Sequence, residues 1–85
     1  MEKIIVEIIC PAVSKSYDFR ISKRLSVSEG IAKIAEEIRE AEHNKGMFQN
    51  KETISMFHAN SKTVLNSDMS FSENGVKSGD VLMII

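Results

Sequence analysis

The sequence predicts one small α+β domain over residues 1–85: a mixed sheet of four to five strands with a single helix packed on one face. Three observations point there. The chain has 85 residues, enough for one domain with one core. Two β-type runs precede a strongly periodic helix, and shorter β-type runs follow it. The first and last runs, IIVEII and VLMII, are the most apolar. That places them side by side and parallel in the sheet centre, joined by a right-handed crossover.

Residues 3–10, KIIVEIIC, alternate Ile4, Val6 and Ile8 against Ile5, Glu7 and Ile9. A carboxylate is costly to bury unpaired, so Ile4, Val6 and Ile8 take the core face. Pro11 ends the strand because it has no N–H for a ladder, and 12–15 is expected to turn. Residues 16–22, SYDFRIS, set Tyr17, Phe19 and Ile21 on one face and Asp18 and Arg20 on the other. The two runs therefore form an antiparallel hairpin. Ser26 followed by Glu29 fits a capping box, in which each side chain bonds the other's backbone N–H. Val27, Ile31, Ile34, Ala35, Ile38 and Ala41 make an apolar helical stripe. Glu29 and Lys33 are expected to pair four residues apart. Asn44 and Gly46 are the stop signals.

Residues 45–53 are expected to be a loop, with Met47 and Phe48 tucked under the sheet edge. ISMFHA, 54–59, is a third strand, 60–62 a turn, and 63–65 a very short strand. Met69 and Phe71 should plug the open end of the core. Gly75 and Gly79 bracket a turn before the last strand, 80–85, in which Leu82 and Ile84 face the helix and Val81, Met83 and Ile85 face away.

Composition narrows the function. A formal net charge of −1 lacks the basic excess of a nucleic-acid binder. No apolar run approaches the roughly 20 residues that span a bilayer. The first residues read as a strand rather than a signal peptide. Cys10 is the one cysteine, so no internal disulfide forms. No Cys/His cluster suggests a metal and no cofactor is expected. A lone thiol without an export signal fits a reducing cytoplasm. Cys10 reads as a small hydrophobe at a strand end rather than a nucleophile. His43 reads as a cation at the helix C-terminus and His58 as a solvent-facing or hydrogen-bonded strand residue. The helix carries Glu29, Glu36, Glu37, Glu40 and Glu42 against Lys33 and Arg39, and Lys15, Arg20, Lys23 and Arg24 gather near the hairpin. Both groups read as solvated surface.

The element order resembles ubiquitin. The clearest local likeness is the stretch 71–84, FSENGVKSGDVLMI: an apolar residue, a short polar turn, Val76, then Gly79 and Asp80 leading into the last strand. This implies a ubiquitin-like β-grasp. The chain is also similar to the YukD family (EsaB-like), small bacterial ubiquitin-like proteins linked to the type VII, Ess-type, secretion apparatus of Gram-positive bacteria. The likeness rests on the apolar first strand, on DFRIS at 18–22 beside that family's Asp-Leu-Arg-Leu-Ser, on Thr63 and Val64, and on GVKSGDVL at 75–82. It is weakest over 43–55. Conjugated relatives and sulfur carriers end in a Gly-Gly tail that enters an adenylating site. This sequence ends Met83-Ile84-Ile85, so neither conjugation nor sulfur transfer is expected. That family lacks the tail as well.

These readings imply a non-enzymatic interaction module, an accessory or regulator of secretion. The expected partner-binding residues are Ile5, Ile9, Phe57, Val81, Met83 and Ile85, neighbours on the sheet face opposite the helix. A single-layer sheet ordinarily wets that face, so a contiguous apolar patch marks a partner site. The phase of the third strand is open: Ile54, Met56 and His58 oppose Ser55, Phe57 and Ala59. A protein partner and a second copy of the chain are alternative occupants of the face. A modifier or sulfur carrier with a truncated tail, and a domain cut from a larger protein, are the alternatives for the chain as a whole.

Overall fold

A computed structural model of the chain describes residues 3–48 and 54–85. Its elements are β1 (Lys3–Cys10), a short 3-10 turn (Pro11–Val13), β2 (Lys15–Ser22), α1 (Val27–Ala41), β3 (Met56–His58), β4 (Thr63–Val64) and β5 (Val81–Ile84). They form one sheet in the order β2-β1-β5-β3-β4. β1 and β5 run parallel in the middle, as their apolar sequences predict, and the other neighbours pair antiparallel.

The core lies between the sheet and α1. Val6, Ile8, Cys10, Leu82 and Ile84 meet Val27, Ile34 and Ile38 there, with Phe71 closing one end. Each such side chain stabilises the fold by roughly 1.5–3 kcal/mol when fully buried. Tyr17 and Phe19 pack on the margin of the core and Ile21 within it.

Several boundaries differ from the sequence expectation. The turn expected at 12–15 is a 3-10 turn at Pro11–Val13, closed by Ser14 in the left-handed region, so β2 starts one residue early. β3 is shorter than 54–59, although Ser55 still exchanges both backbone hydrogen bonds with Ile85 (2.8 and 2.9 Å). β4 covers 63–64 and β5 covers 81–84.

The helix ends differ in detail. Ala41, the last residue of the helix, is exposed although it falls on the expected stripe. Gly30, absent from the expected stripe, is buried instead. His43 rather than Gly46 takes the left-handed position, at φ 53°. The Asn44 N–H then bonds the Arg39 carbonyl and the His43 N–H the Glu40 carbonyl, a Schellman stop. At the N-terminus the Glu29 N–H donates to Ser26 Oγ (3.3 Å) as expected. The Glu29 carboxylate, however, accepts from the Ser26 hydroxyl (2.8 Å) rather than from a backbone N–H, and it makes no ion pair with Lys33.

Loops complete the structure. Phe71 is fully buried as the plug, whereas Met69 is 36% exposed. Met69 contributes its backbone: its carbonyl accepts from the Val27 N–H, and the Ser67 carbonyl accepts from Ser28. Free helix N–H groups are thus satisfied from a distant loop. Met47 and Phe48 are partly buried against the core, and their carbonyls accept from Arg39. Residues 49–53 of the expected 45–53 loop lie outside the described residues.

Candidate protein-docking surface

On the sheet face away from α1, strand register builds rows of side chains. One row crosses every strand: Ser16 on β2, Ile9 on β1, Met83 on β5, Phe57 on β3 and Val64 on β4. Four of the five are apolar. The next row holds Asp18, Glu7 and Val81, and the one beyond it Arg20 and Ile5. Ile85 follows Met83 at the other margin, opposite Ser55.

All six residues singled out from sequence, Ile5, Ile9, Phe57, Val81, Met83 and Ile85, lie on this face. Ile5 and Ile85 are about half exposed, at 47% and 53%. Ile9, Phe57, Val81 and Met83 are partly buried. The phase of β3 is fixed by its neighbours: Met56 and His58 are buried against α1's side of the sheet, which turns Phe57 outward. Val64, 59% exposed, extends the row and was missed from sequence, because two residues of β4 carry no readable alternation. Glu7 is partly buried in the middle of this surface. Among the described residues its carboxylate and that of Asp18 have neither ion pair nor hydrogen bond.

Other candidate chemistry resolves into structural contacts. His58 is buried at 4% exposure, with Nε2 2.8 Å from an Asp80 carboxylate oxygen and Nδ1 2.8 Å from Ser61 Oγ. A catalytic triad puts serine on Nε2 and the carboxylate on Nδ1. Here the order is reversed, and Ser61 Oγ also contacts Thr63 at 2.7 Å. The arrangement pins the end of β3 to the start of β5. Asp80 also accepts the Lys77 N–H, and that bond, ahead of the one to His58, holds its carboxyl below the usual range. Cys10 is wholly buried in the core.

The basic cluster expected near the hairpin comes apart. Lys15 lies at the opposite end of β2 from Lys23 and Arg24, and pairs with Glu42 at 3.1 Å, while Arg20 lies beside Ile5. The Tyr17 hydroxyl also donates to Glu42. That bond pushes the phenol up to about 12 and, with Lys15, draws the carboxyl down. Among the described residues no group of three His, Cys, Asp or Glu side chains could hold a metal ion. No helix there is long and apolar enough to cross a membrane.

No family model matches the chain, and no curated protein matches it in sequence. Solved structures do match its shape. A ubiquitin-like domain of an Arabidopsis thaliana protein superposes with a TM-score of 0.72 at 20% identity, covering 100% of this chain and 78% of that one. Caldiarchaeum subterraneum ubiquitin gives 0.73 at 12% identity, over 98% and 91% of the two chains. The ubiquitin-like domain of the Mycobacterium tuberculosis type VII secretion system protein EccD1 gives 0.74 at 16% identity, over 100% and 99%. The fold is the ubiquitin-like β-grasp. At these identities the likeness is one of fold, and within this ubiquitin-like frame the apolar row lies on the sheet surface that the helix leaves uncovered.

Proposed function

We propose that this ubiquitin-like chain is a non-enzymatic interaction module whose sheet face docks a partner protein, and that it serves a type VII secretion system from the cytoplasm of a Gram-positive bacterium. The row Ile9, Met83, Phe57 and Val64 carries the docking reading. A sheet wetted on one face ordinarily alternates apolar and polar residues, whereas four adjacent strands here present apolar side chains outward. The secretion reading is supported by the sequence likeness to YukD-type proteins and by the fold likeness to the EccD1 domain over nearly its full length.

Two experiments test the two halves. Met83→Asp places a charge in the middle of the row without touching the core, and should weaken partner binding by more than about tenfold while leaving the thermal melt in place. Unchanged binding would remove the face from the reading. Deleting the gene from its host and restoring it as wild type or Met83→Asp should abolish, rescue and fail to rescue export of the small helical-hairpin proteins such systems secrete. Normal export after deletion would remove the secretion assignment and leave the docking surface intact.

A further inference from the structure

We propose that two copies of this chain pair through the free edge of β2, antiparallel about a two-fold axis at Phe19, and so join two five-stranded sheets into one. The proposal is independent of the docking reading, because the pairing uses an edge of the sheet and leaves its apolar face open.

The two edges of the sheet differ. β4 has two residues, too few to template another strand, whereas β2 has eight. All eight pair with β1 without a bulge, and none is proline, so neither of those devices blunts this edge. The phase of its backbone follows from β1. The Glu7 N–H bonds the Asp80 carbonyl and the Ile5 carbonyl accepts from the Gly79 N–H, so the odd residues of β1 turn their polar groups to β5. The even residues turn theirs to β2, where they meet Tyr17, Phe19 and Ile21. Ser16, Asp18, Arg20 and Ser22 therefore point their backbone groups outward. Among the described residues, only the Ser22 carbonyl of these has another backbone partner, the Leu25 N–H.

Register names the occupant. Joining two such edges sets an outward residue opposite an outward residue, so only registers that pair even with even positions are open. Centred on Asp18, the two Asp18 carboxylates oppose each other; centred on Arg20, the two guanidinium groups do. Centred on Phe19, Asp18 of each copy lies opposite Arg20 of the other, and the match occurs twice. Among the described residues neither side chain is engaged in an ion pair or hydrogen bond within the chain. On the helix side the same register sets Phe19 against its own copy and Tyr17 against Ile21. Tyr17 and Phe19 are only partly buried, beside an open groove that Glu37, Ile38 and Ala41 also line, and a second strand covers them. The like-charged Lys15 and Lys23 oppose each other only at the ends of the pairing, and Lys15 is already held by Glu42. A two-fold axis normal to the sheet places both helices on one side and both apolar rows on the other.

Sedimentation equilibrium on the full chain, up to about 1 mM, should show a monomer–dimer equilibrium. Asp18→Arg and Arg20→Asp should each weaken the homodimer by more than about tenfold, because each substitution puts like charges at both matched pairs. Mixing the two variants should restore dimerisation, as should the double swap Asp18→Arg/Arg20→Asp in one chain. These restorations also show that the variants fold. Amide exchange gives a second reading: the Asp18 and Arg20 N–H groups should gain protection as the dimer forms. A chain that stays monomeric at 1 mM overturns the proposal, and so does a dimer indifferent to the charge swaps or one in which those two amides stay unprotected. A dimer that Met83→Asp dissolves places the second copy on the apolar face and also overturns it. The docking reading survives the first three of these results, since its own test is partner binding by Met83→Asp.

Discussion

A β-carbon built on Gly30 would lie 2.5 Å from Cε2 and 2.6 Å from Cζ of Phe71. Helix propensity alone favours alanine over glycine by about 1 kcal/mol in a helix interior. Here the ring is fully buried and must shift within a packed core to make room, so overpacking outweighs propensity. Gly30→Ala should therefore destabilise the protein by about 1–3 kcal/mol in urea unfolding, and a stabilised variant would refute the packing. Tyr17 offers a second test at this scale, since it is the chain's one tyrosine. Bonded to Glu42, its phenol should ionise near pH 12 rather than at the ordinary 10.0, read as absorbance near 295 nm. Glu42→Gln should return the midpoint toward 10.0. Neither contact was visible in sequence. Gly30 reads as a weak spot in a good helix, and Tyr17 and Glu42 stand 25 positions apart. His58 belongs with them: only the packed structure shows that a polar residue in a short strand is buried against Asp80.

Helix ends and turns were partly legible. The Ser26 cap and the apolar stripe follow from residue type and 3.6-residue spacing, and the helix forms where they place it. Its stop was less legible, because His43 gives no sign that it must adopt φ 53°. His43→Gly removes the Cβ strain of that conformation and should raise stability by about 0.5–1 kcal/mol, measured as a shift of the unfolding midpoint. A complete capping box formed at 70–73 instead: the Ser70 N–H donates to the Glu73 carboxylate (2.9 Å) and the Glu73 N–H to Ser70 Oγ (3.0 Å). Its Ser-x-x-Glu spacing was present in the sequence, but the polar loop around it offered no apolar run to single it out. These bonds give a pH signature. Ser70 holds the Glu73 carboxyl below its ordinary 4.5, Tyr17 and Lys15 do the same for Glu42, and the Lys77 N–H and His58 hold Asp80 below 3.8. A carboxyl depressed in the folded state contributes stability in full above its unfolded value and loses it as pH falls through the folded value. The melting temperature should therefore hold down to about pH 5 and decline from pH 4.5 downward, with a shallower decline in Glu73→Gln.

At the scale of the molecule, the chain places its two most apolar strands in parallel at the sheet centre and spreads the rest to the edges. This much the sequence determined by itself. Period-two alternation in β1, β2 and β5, period 3.6 in α1, and the cost of burying Glu7 settle which residues face the core, and the structure agrees at Ile4, Val6, Ile8, Leu82 and Ile84. These are local rules, satisfied or broken within a few residues of chain. Tertiary structure alone decided what depends on elements far apart in sequence. Phe57 faces outward because Met83 and Val64 flank it in register, which a three-residue strand cannot announce. Met69 remains exposed because its backbone caps a helix that starts 42 positions earlier, so the loop is held by a carbonyl rather than by its side chain. The apolar row and the opposed carboxylates of Glu7 and Asp18 are of the same kind. Each residue was readable in its own strand, but their juxtaposition is a product of register, which turn geometry and the packing of distant strands on a shared core set and residue spacing within one strand does not.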